Sequence, residues 1–398
     1  MTLDYELNLL RKLVEINTDS VLKEGYDECA SILIEEAQKN SLDVSVIDGE
    51  KGAQDGIYRP NIIITLNSGS DVTLLLESHF DVVPSGPNWT YPPYKLTLRN
   101  GKAFGRGTAD NKAGIAAAIG AMRLLNKENL DINLKLIASV DEEIGGRYGV
   151  DYILSDYGLR GDAALVLDAG PENLYLGASG LIWGKITVKG KQGHAGYPYK
   201  SKNAIVETIN LLSALDVYKK RVEKKESFLH APLEAPKQNI WGRFNVTTIK
   251  AGEKENIIPG ICEVRFDRRL LPEESIEEAE DELRDFFEEA VKKIGCRASL
   301  EIIHKLPGYY TQSDHVFVQT VSENIKKIVG RNLSLAGELG GNDGSFFAKN
   351  GIPVLCYGTI RADTRFHGVD EFVYLEDIIN VRNLIINLSK VKREQIAE

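Results

Sequence analysis

Cysteine is scarce in this chain, and the little there is forms no pattern. Cys29, Cys262, Cys296 and Cys356 are scattered without a Cys-x-x-Cys pair. That spacing argues against a disulfide framework and a thiolate metal site, and leaves buried free thiols as the expectation. Long apolar runs are missing as well: nothing approaches the roughly eighteen residues that a membrane helix needs, so no membrane role is expected. Positive charge is in deficit. Lys and Arg total 48 against 58 Asp and Glu, a net charge of −10, and so acidic a chain with no basic stripe repels nucleic acid. The opening Met-Thr-Leu-Asp-Tyr-Glu has neither the basic nor the apolar region of a secretory signal, so the expected location is cytoplasmic.

What is present is a globular composition, 43% hydrophobic and 27% charged, spread over 398 residues. That length exceeds one ordinary core and predicts two modules, or one module carrying a large insertion. Leu7, Leu10, Leu13 and Val14 recur at helical spacing within 4–16, and a second helix is expected over 26–39. Apolar runs at 61–66, 72–77, 134–140 and 163–167, bounded by Gly, Asp, Asn or Ser, read as strands; alanine-rich 112–126 reads as a helix. Alternating strands and helices predict an α/β sandwich around a mostly parallel sheet. After about residue 177 the texture changes to strand 181–189, helix 203–215, strands 244–251 and 260–270, helix 273–294 and strand 298–304. That β-α-β-β-α-β order is the split ferredoxin-like motif. The α/β texture then resumes with an apolar run at 352–357 and a closing helix over 375–392. The expected division is an α/β domain from 1–178 and 305–398, interrupted by an inserted α+β domain at 179–304.

The chemistry lies in acids and histidines at the carboxyl ends of strands, where α/β proteins build sites. One apolar strand runs into His79 and Asp81, whose period-2 spacing puts both side chains on one side. They are either a metal ligand with the carboxylate that orients it or a hydrogen-bonded pair at a strand end. Gly105-Arg-Gly-Thr-Ala-Asp110-Asn-Lys departs from both the dinucleotide and the P-loop fingerprints, so Asp110 is either a helix cap or a carboxylate offered to two cations. Asp141-Glu142-Glu143 follows another strand, and like charges so crowded need cations, donors or solvent to offset them. Asp168 ends a further apolar strand, and His367 lies beyond the inserted domain. Histidines and carboxylates without sulfur suit zinc, cobalt or manganese.

Taken together, these motifs resemble the di-zinc metallopeptidase family that includes acetylornithine deacetylase, succinyl-diaminopimelate desuccinylase, aminoacylase and glutamate carboxypeptidase. They appear in order as Ser-His79-Phe-Asp81-Val-Val-Pro, Gly-Arg-Gly-Thr-Ala-Asp110-Asn-Lys-Ala-Gly, Asp-Glu142-Glu143-Ile-Gly-Gly, Asp168, Gly-His194-Ala-Gly-Tyr-Pro, Asn256-Ile-Ile-Pro, Asp-Arg-Arg269-Leu-Leu-Pro, Gly-Gly-Asn-Asp343-Gly and His367-Gly. The resemblance implies a zinc-peptidase-like α/β/α catalytic domain with an inserted ferredoxin-like lid that makes a homodimer. It implies two zinc ions, with cobalt or manganese as alternatives: Asp110 bridges, His79 and Asp168 complete one site, and Glu143 and His367 the other. Asp81 would orient His79, and Glu142 would be the general base on a metal-bridged water. His194 would stabilise the oxyanion in the partner subunit's site. Asn256, with Arg269 thirteen residues later, would hold the substrate carboxylate, and Asp343 would line the substrate site. Arg265, on the face of Arg269, is expected in a surface ion pair.

The implied reaction is cleavage of an amide bond in a small N-acyl amino acid or short peptide, with a dipeptidase or carboxypeptidase as the alternative. A non-catalytic binding paralogue would have lost the base or a ligand, and all are present. Two departures bear on the substrate. Several of the deacylases carry Glu where Asp168 stands, and the desuccinylase motif continues Gly-Arg-Phe where this chain has Gly344-Ser345-Phe346.

Overall fold

The computed structural model describes residues 3–397. In chain order its principal elements begin with α1 (Asp4–Glu15), α2 (Tyr26–Lys39), β1 (Asp43–Asp48), β2 (Pro60–Leu66), β3 (Thr73–His79) and α3 (Ala113–Leu125). Next come β4 (Asn133–Ser139), β5 (Ala163–Val166), β6 (Asn173–Ala178), β7 (Leu181–Lys189), α4 (Ala204–Val222), β8 (Arg243–Ala251) and β9 (Ile261–Arg269). The rest are α5 (Ile276–Ile294), β10 (Arg297–Leu306), α6 (Val316–Val329), α7 (Gly344–Lys349), β11 (Val354–Cys356) and α8 (Leu375–Leu388). They form two compact units, one from Met1–Gly177, Thr311–Ala336 and Asn342–Glu398, the other from Ala178–Tyr310 and Gly337–Gly341.

In the first unit, strands follow one another in the order β1-β2-β4-β3-β5-β11-β6. The centre is parallel (β4 with β3, β3 with β5, β5 with β11), while β1, β2 and β6 pair antiparallel. The expected mostly parallel sheet is therefore mixed. The antiparallel flanks were not legible because β1 and β6 were not read as strands, and strand direction depends on sheet neighbours rather than on local pattern. Leu74, Leu75 and Leu76 of β3 are all fully buried, so helices must cover both faces, as the continuous apolar runs predict. The alanines of α3 let it pack closely against α1 and α8. All four cysteines are free and buried.

The second unit runs β7-α4-β8-β9-α5-β10, a four-stranded antiparallel sheet in the order β8-β9-β7-β10. Ile186, Val188, Cys262, Val264 and Phe266 point from its strands into a core shared with Leu211, Leu215, Tyr218 and Val222 of α4 and Leu283 and Phe287 of α5. Those buried positions at intervals of four, three and four carry α4 past its expected end at 215 to Val222. Asn203 caps α4 and Ser275 caps α5, each side chain accepting a hydrogen bond from the first turn.

Candidate metal centre

In the first unit, four strand ends deliver one cluster. His79 closes β3, Glu142 and Glu143 sit in a 3-10 turn just after β4, Asp168 follows β5, and His367 lies in the loop after β11. Since β4, β3, β5 and β11 are neighbours in the sheet, their carboxyl ends open side by side. Asp110 reaches the same place from the turn ahead of α3.

Two groups of ligand atoms result, each within 4.8 Å: His79, Asp110 and Asp168, and Asp110, Glu143 and His367. Asp110 divides its oxygens between them. Its Oδ1 lies 3.0 Å from His79 Nε2 and its Oδ2 lies 3.1 Å from His367 Nε2. Asp168 Oδ1 is 3.9 Å from His79 Nε2, and Glu143 Oε2 is 3.1 Å from His367 Nε2. Burial alone would raise the Asp110 pKa, but hydrogen bonds from His367 and His79 hold it well below the usual carboxylate range. Burial, then the Asp110 charge, pushes Asp168 up to about 6 and Glu143 up to about 7. Hydrogen bonds to Asp110 and Glu143 lift His367 to about 10. Carboxylates this crowded call for positive charge, which divalent cations would supply. Glu143 Oε1 is buried without a hydrogen-bond partner, an acceptor that a cation would satisfy. The donor set, imidazole and carboxylate without thiolate, fits a dinuclear centre of borderline cations.

Around the ligands lies a supporting layer. His79 Nδ1 meets the Asp81 backbone carbonyl at 3.0 Å, with the carboxylate at 3.6 Å. The Asp81 carboxylate also accepts the N–H groups of Glu142 and Glu143 at 3.3 and 3.2 Å, fixing the turn that carries them. Asp141 is bound to Arg59 at 2.7 Å and to the Tyr26 hydroxyl at 3.0 Å. Glu142 belongs to neither ligand group, and burial followed by the charges of Asp168, Asp343 and Glu143 raises its pKa well above the usual value against the pull of His79. Asp343 is 2% exposed. Its Oδ1 lies where a Cβ on Gly146 would fall, at 2.3 Å, so the turn behind the acidic triplet requires glycine, whose φ is +64°.

Sequence reasoning gave no role to Glu371, Arg106 or Asn111. The fully buried Glu371 pairs with Arg106 at 2.6 Å and accepts the N–H groups of Gly107, Ala109 and Asp110 at 3.1, 2.9 and 3.2 Å. It thereby holds the turn that presents Asp110. Asn111 donates to Asp168 at 3.0 Å and accepts from Ser78 at 2.6 Å. The available signal was Glu371's position four residues after His367.

In the second unit, His194 is exposed, and its Nδ1 accepts the Gly196 N–H at 3.0 Å. A short ladder pairs His194 with Ile257, and Ala195 N–H donates to the carbonyl of the exposed Asn256 at 2.9 Å, bringing the two predicted residues together. Arg269 ends β9 of the four-stranded sheet, its Nε 3.0 Å from both oxygens of Asp267. Arg265 makes no ion pair among the described residues, contrary to expectation, because Lys185 opposite it takes Glu301 at 2.8 Å.

Among the described residues no helix is long and apolar enough to cross a membrane. An uncharacterized metallohydrolase of Methanocaldococcus jannaschii is 30% identical over 358 residues, 84% of this chain and 85% of the relative. A succinyl-diaminopimelate desuccinylase of Wolinella succinogenes is 27% identical over 335 residues, covering 82% and 86%. Among solved structures, an M20 family metallo-carboxypeptidase of Sulfolobus solfataricus superposes with a TM-score of 0.81 at 19% identity, covering 98% of this chain and 99% of that one. The model of peptidase family M20/M25/M40 matches residues 75–390, a span containing both ligand groups. The protein therefore belongs to that family and is a metal-dependent hydrolase with a candidate dinuclear centre.

Proposed function

We propose that the protein hydrolyses the amide bond of a small N-acyl amino acid, of the deacetylase or desuccinylase type. The observation that carries this reading is the geometry of Asp110, one carboxylate facing two histidines, with Glu142 in neither ligand group but within the electrostatic reach of His79, Asp168 and Glu143. His79, Asp110 and Asp168 would hold one ion and Asp110, Glu143 and His367 the other; zinc is the proposed occupant, with cobalt or manganese as alternatives. Such a pair polarises a carbonyl and acidifies water. Glu142 takes the proton from the attacking water and returns it to the leaving amine, a role suited to a carboxylate of raised pKa. Asp81 would orient His79 and positions the turn that carries Glu142, and Asp343, packed against Gly146 of that turn, would line the substrate site.

Segment 179–304 is proposed as the lid and dimerisation module. Ile205, Val206, Ile209 and Val217 of α4 and Val246 and Ile249 of the edge strand β8 are exposed apolar residues, an interface for a second copy. His194, exposed and held by its own turn, would stabilise the oxyanion in the partner's site. Arg269 and Asn256 would take the substrate carboxylate. Four free thiols accord with a cytoplasmic location. A dipeptidase or carboxypeptidase is the second reading, favoured by Asp168 and by Ser345, which stands where the desuccinylase motif carries an arginine. N-acetyl and N-succinyl amino acids and dipeptides, each assayed with zinc, cobalt and manganese, separate the two. Absence of turnover with every substrate and metal would overturn both.

A further inference from the structure

One corner of the inserted sheet carries a positive charge for which the fold provides no counter-ion. Arg243, the first residue of β8, stands directly opposite Arg269, the last of β9. Phe244 and Phe266 point into the helix-covered core, so alternation sends Arg243, Asp267 and Arg269 to the open face, where opposed residues are neighbours. Two guanidiniums thus share this corner with a single carboxylate. Asp267 is already committed: both oxygens meet Arg269 Nε at 3.0 Å, and Oδ2 also accepts Trp183 Nε1 at 2.7 Å.

Arg243 makes no ion pair among the described residues. Its Nε donates to the Trp241 carbonyl at 3.2 Å, its Nη2 to Ser179 Oγ at 2.6 Å, and its guanidinium lies 5.2 Å from the centre of the Trp241 ring. Arg243 Nη1 and the Nη groups of Arg269 make no hydrogen bond with described residues. Burial, then the Arg269 charge, pushes the Arg243 pKa down to about 10. A partly buried guanidinium without a carboxylate is costly, and an anion relieves it.

We propose that Arg243 and Arg269 together form a two-arginine site for a carboxylate, making Arg243 a specificity residue for substrates with a free acid group. Identification of that carboxylate with the substrate's rests on the amidohydrolase reading above. The corner is one positive charge in excess, so a carboxylate neutralises it, whereas a phosphate dianion would leave an excess negative charge. A planar carboxylate also matches the guanidinium fork.

The chain has three tryptophans, and two of them, Trp183 and Trp241, touch this corner. Titration of the metal-loaded, full-length protein with N-acetylalanine, its methyl amide and inorganic phosphate, followed by tryptophan fluorescence and calorimetry, reads the site directly. The free acid should bind saturably, with a fluorescence change, and the amide and phosphate at least about tenfold more weakly, the scale of one charged hydrogen-bonded contact. R243Q should lose the change and raise KM about tenfold or more with a smaller effect on kcat, as expected for binding shared by ground and transition states. R243K, which keeps the charge but not the fork, should fall between, and R265Q on the same face should behave as the parent. Unaltered acid binding and KM in a folded R243Q, or phosphate binding as tight as the acid, would overturn the site. If no amide is hydrolysed with any metal while the acid still binds through Arg243, the amidohydrolase reading fails and the arginine site stands.

Discussion

Three adjacent carboxylates in the acidic triplet meet three different surroundings. Asp141 is tied to Arg59 and Tyr26, Glu143 to His367, and Glu142 to neither ligand group. Glu142→Gln should therefore reduce kcat by about 10²–10⁴-fold, the usual range for a general base, while elemental analysis still finds both metals. Retained activity would remove Glu142 from the mechanism. Asp110 belongs to both ligand groups, whereas Asp168 and His367 belong to one each. Asp110→Ala should accordingly empty both sites, and His367→Ala one, as read by metal content after dialysis; equal losses in the two variants would mean that Asp110 does not bridge. These residues were legible in the sequence because each stands in a short local motif: Glu142, Glu143 and Asp168 just after apolar runs, Asp110 in a Gly-rich turn and His367 before a glycine. Glu371 was not, since its partners Arg106 and Asp110 lie 265 and 261 residues away.

The same separation gives Glu371 its importance to the turn between Gly105 and α3. Arg106 and Glu371 are 1% and 0% exposed, and removing one partner of a buried pair costs about 3–5 kcal/mol because the other charge is left uncompensated. Glu371→Ala should lose stability on that scale in urea denaturation and weaken metal binding through the displaced Asp110. A variant as stable as the parent would show that the pair does not hold the turn. At the helix ends the effects are smaller: Asn203→Ala removes the side-chain cap on α4 and should cost about 1 kcal/mol, read in the same experiment. The helices of the inserted unit were readable from their period, although α4 runs on to Val222 beyond its expected end. The strands β1 and β6 were not, because apolar and polar residues mix in them and their pairing with distant strands defines them.

For the molecule as a whole, crowded acids make cations part of the fold's stability as well as its chemistry. Ligands that bind only the folded state stabilise it by about 2.7 kcal/mol at a hundredfold excess over Kd. A chelator should therefore lower Tm and abolish turnover, and added zinc should restore both; an unchanged Tm would separate the centre from folding. Assembly is tested by Ile209→Asp, which places a charge on the exposed apolar face of α4, where Ile209 is 57% exposed. Sedimentation should show dimers shifting to monomers while the fold persists, and unchanged association would move the interface elsewhere.

The sequence by itself determined the α/β texture, the inserted β-α-β-β-α-β unit and the residue types of the centre. Those follow from local periodicity, turn residues and strand-end motifs, which are short-range properties of the chain. Only the tertiary structure decided that Asp110 faces two histidines at once, that Glu371 fixes its turn, that Asp343 is buried behind Gly146, and that Arg243 stands across from Arg269. Each of those depends on strand order and register, which bring distant residues within hydrogen-bonding reach and leave no trace in the local pattern.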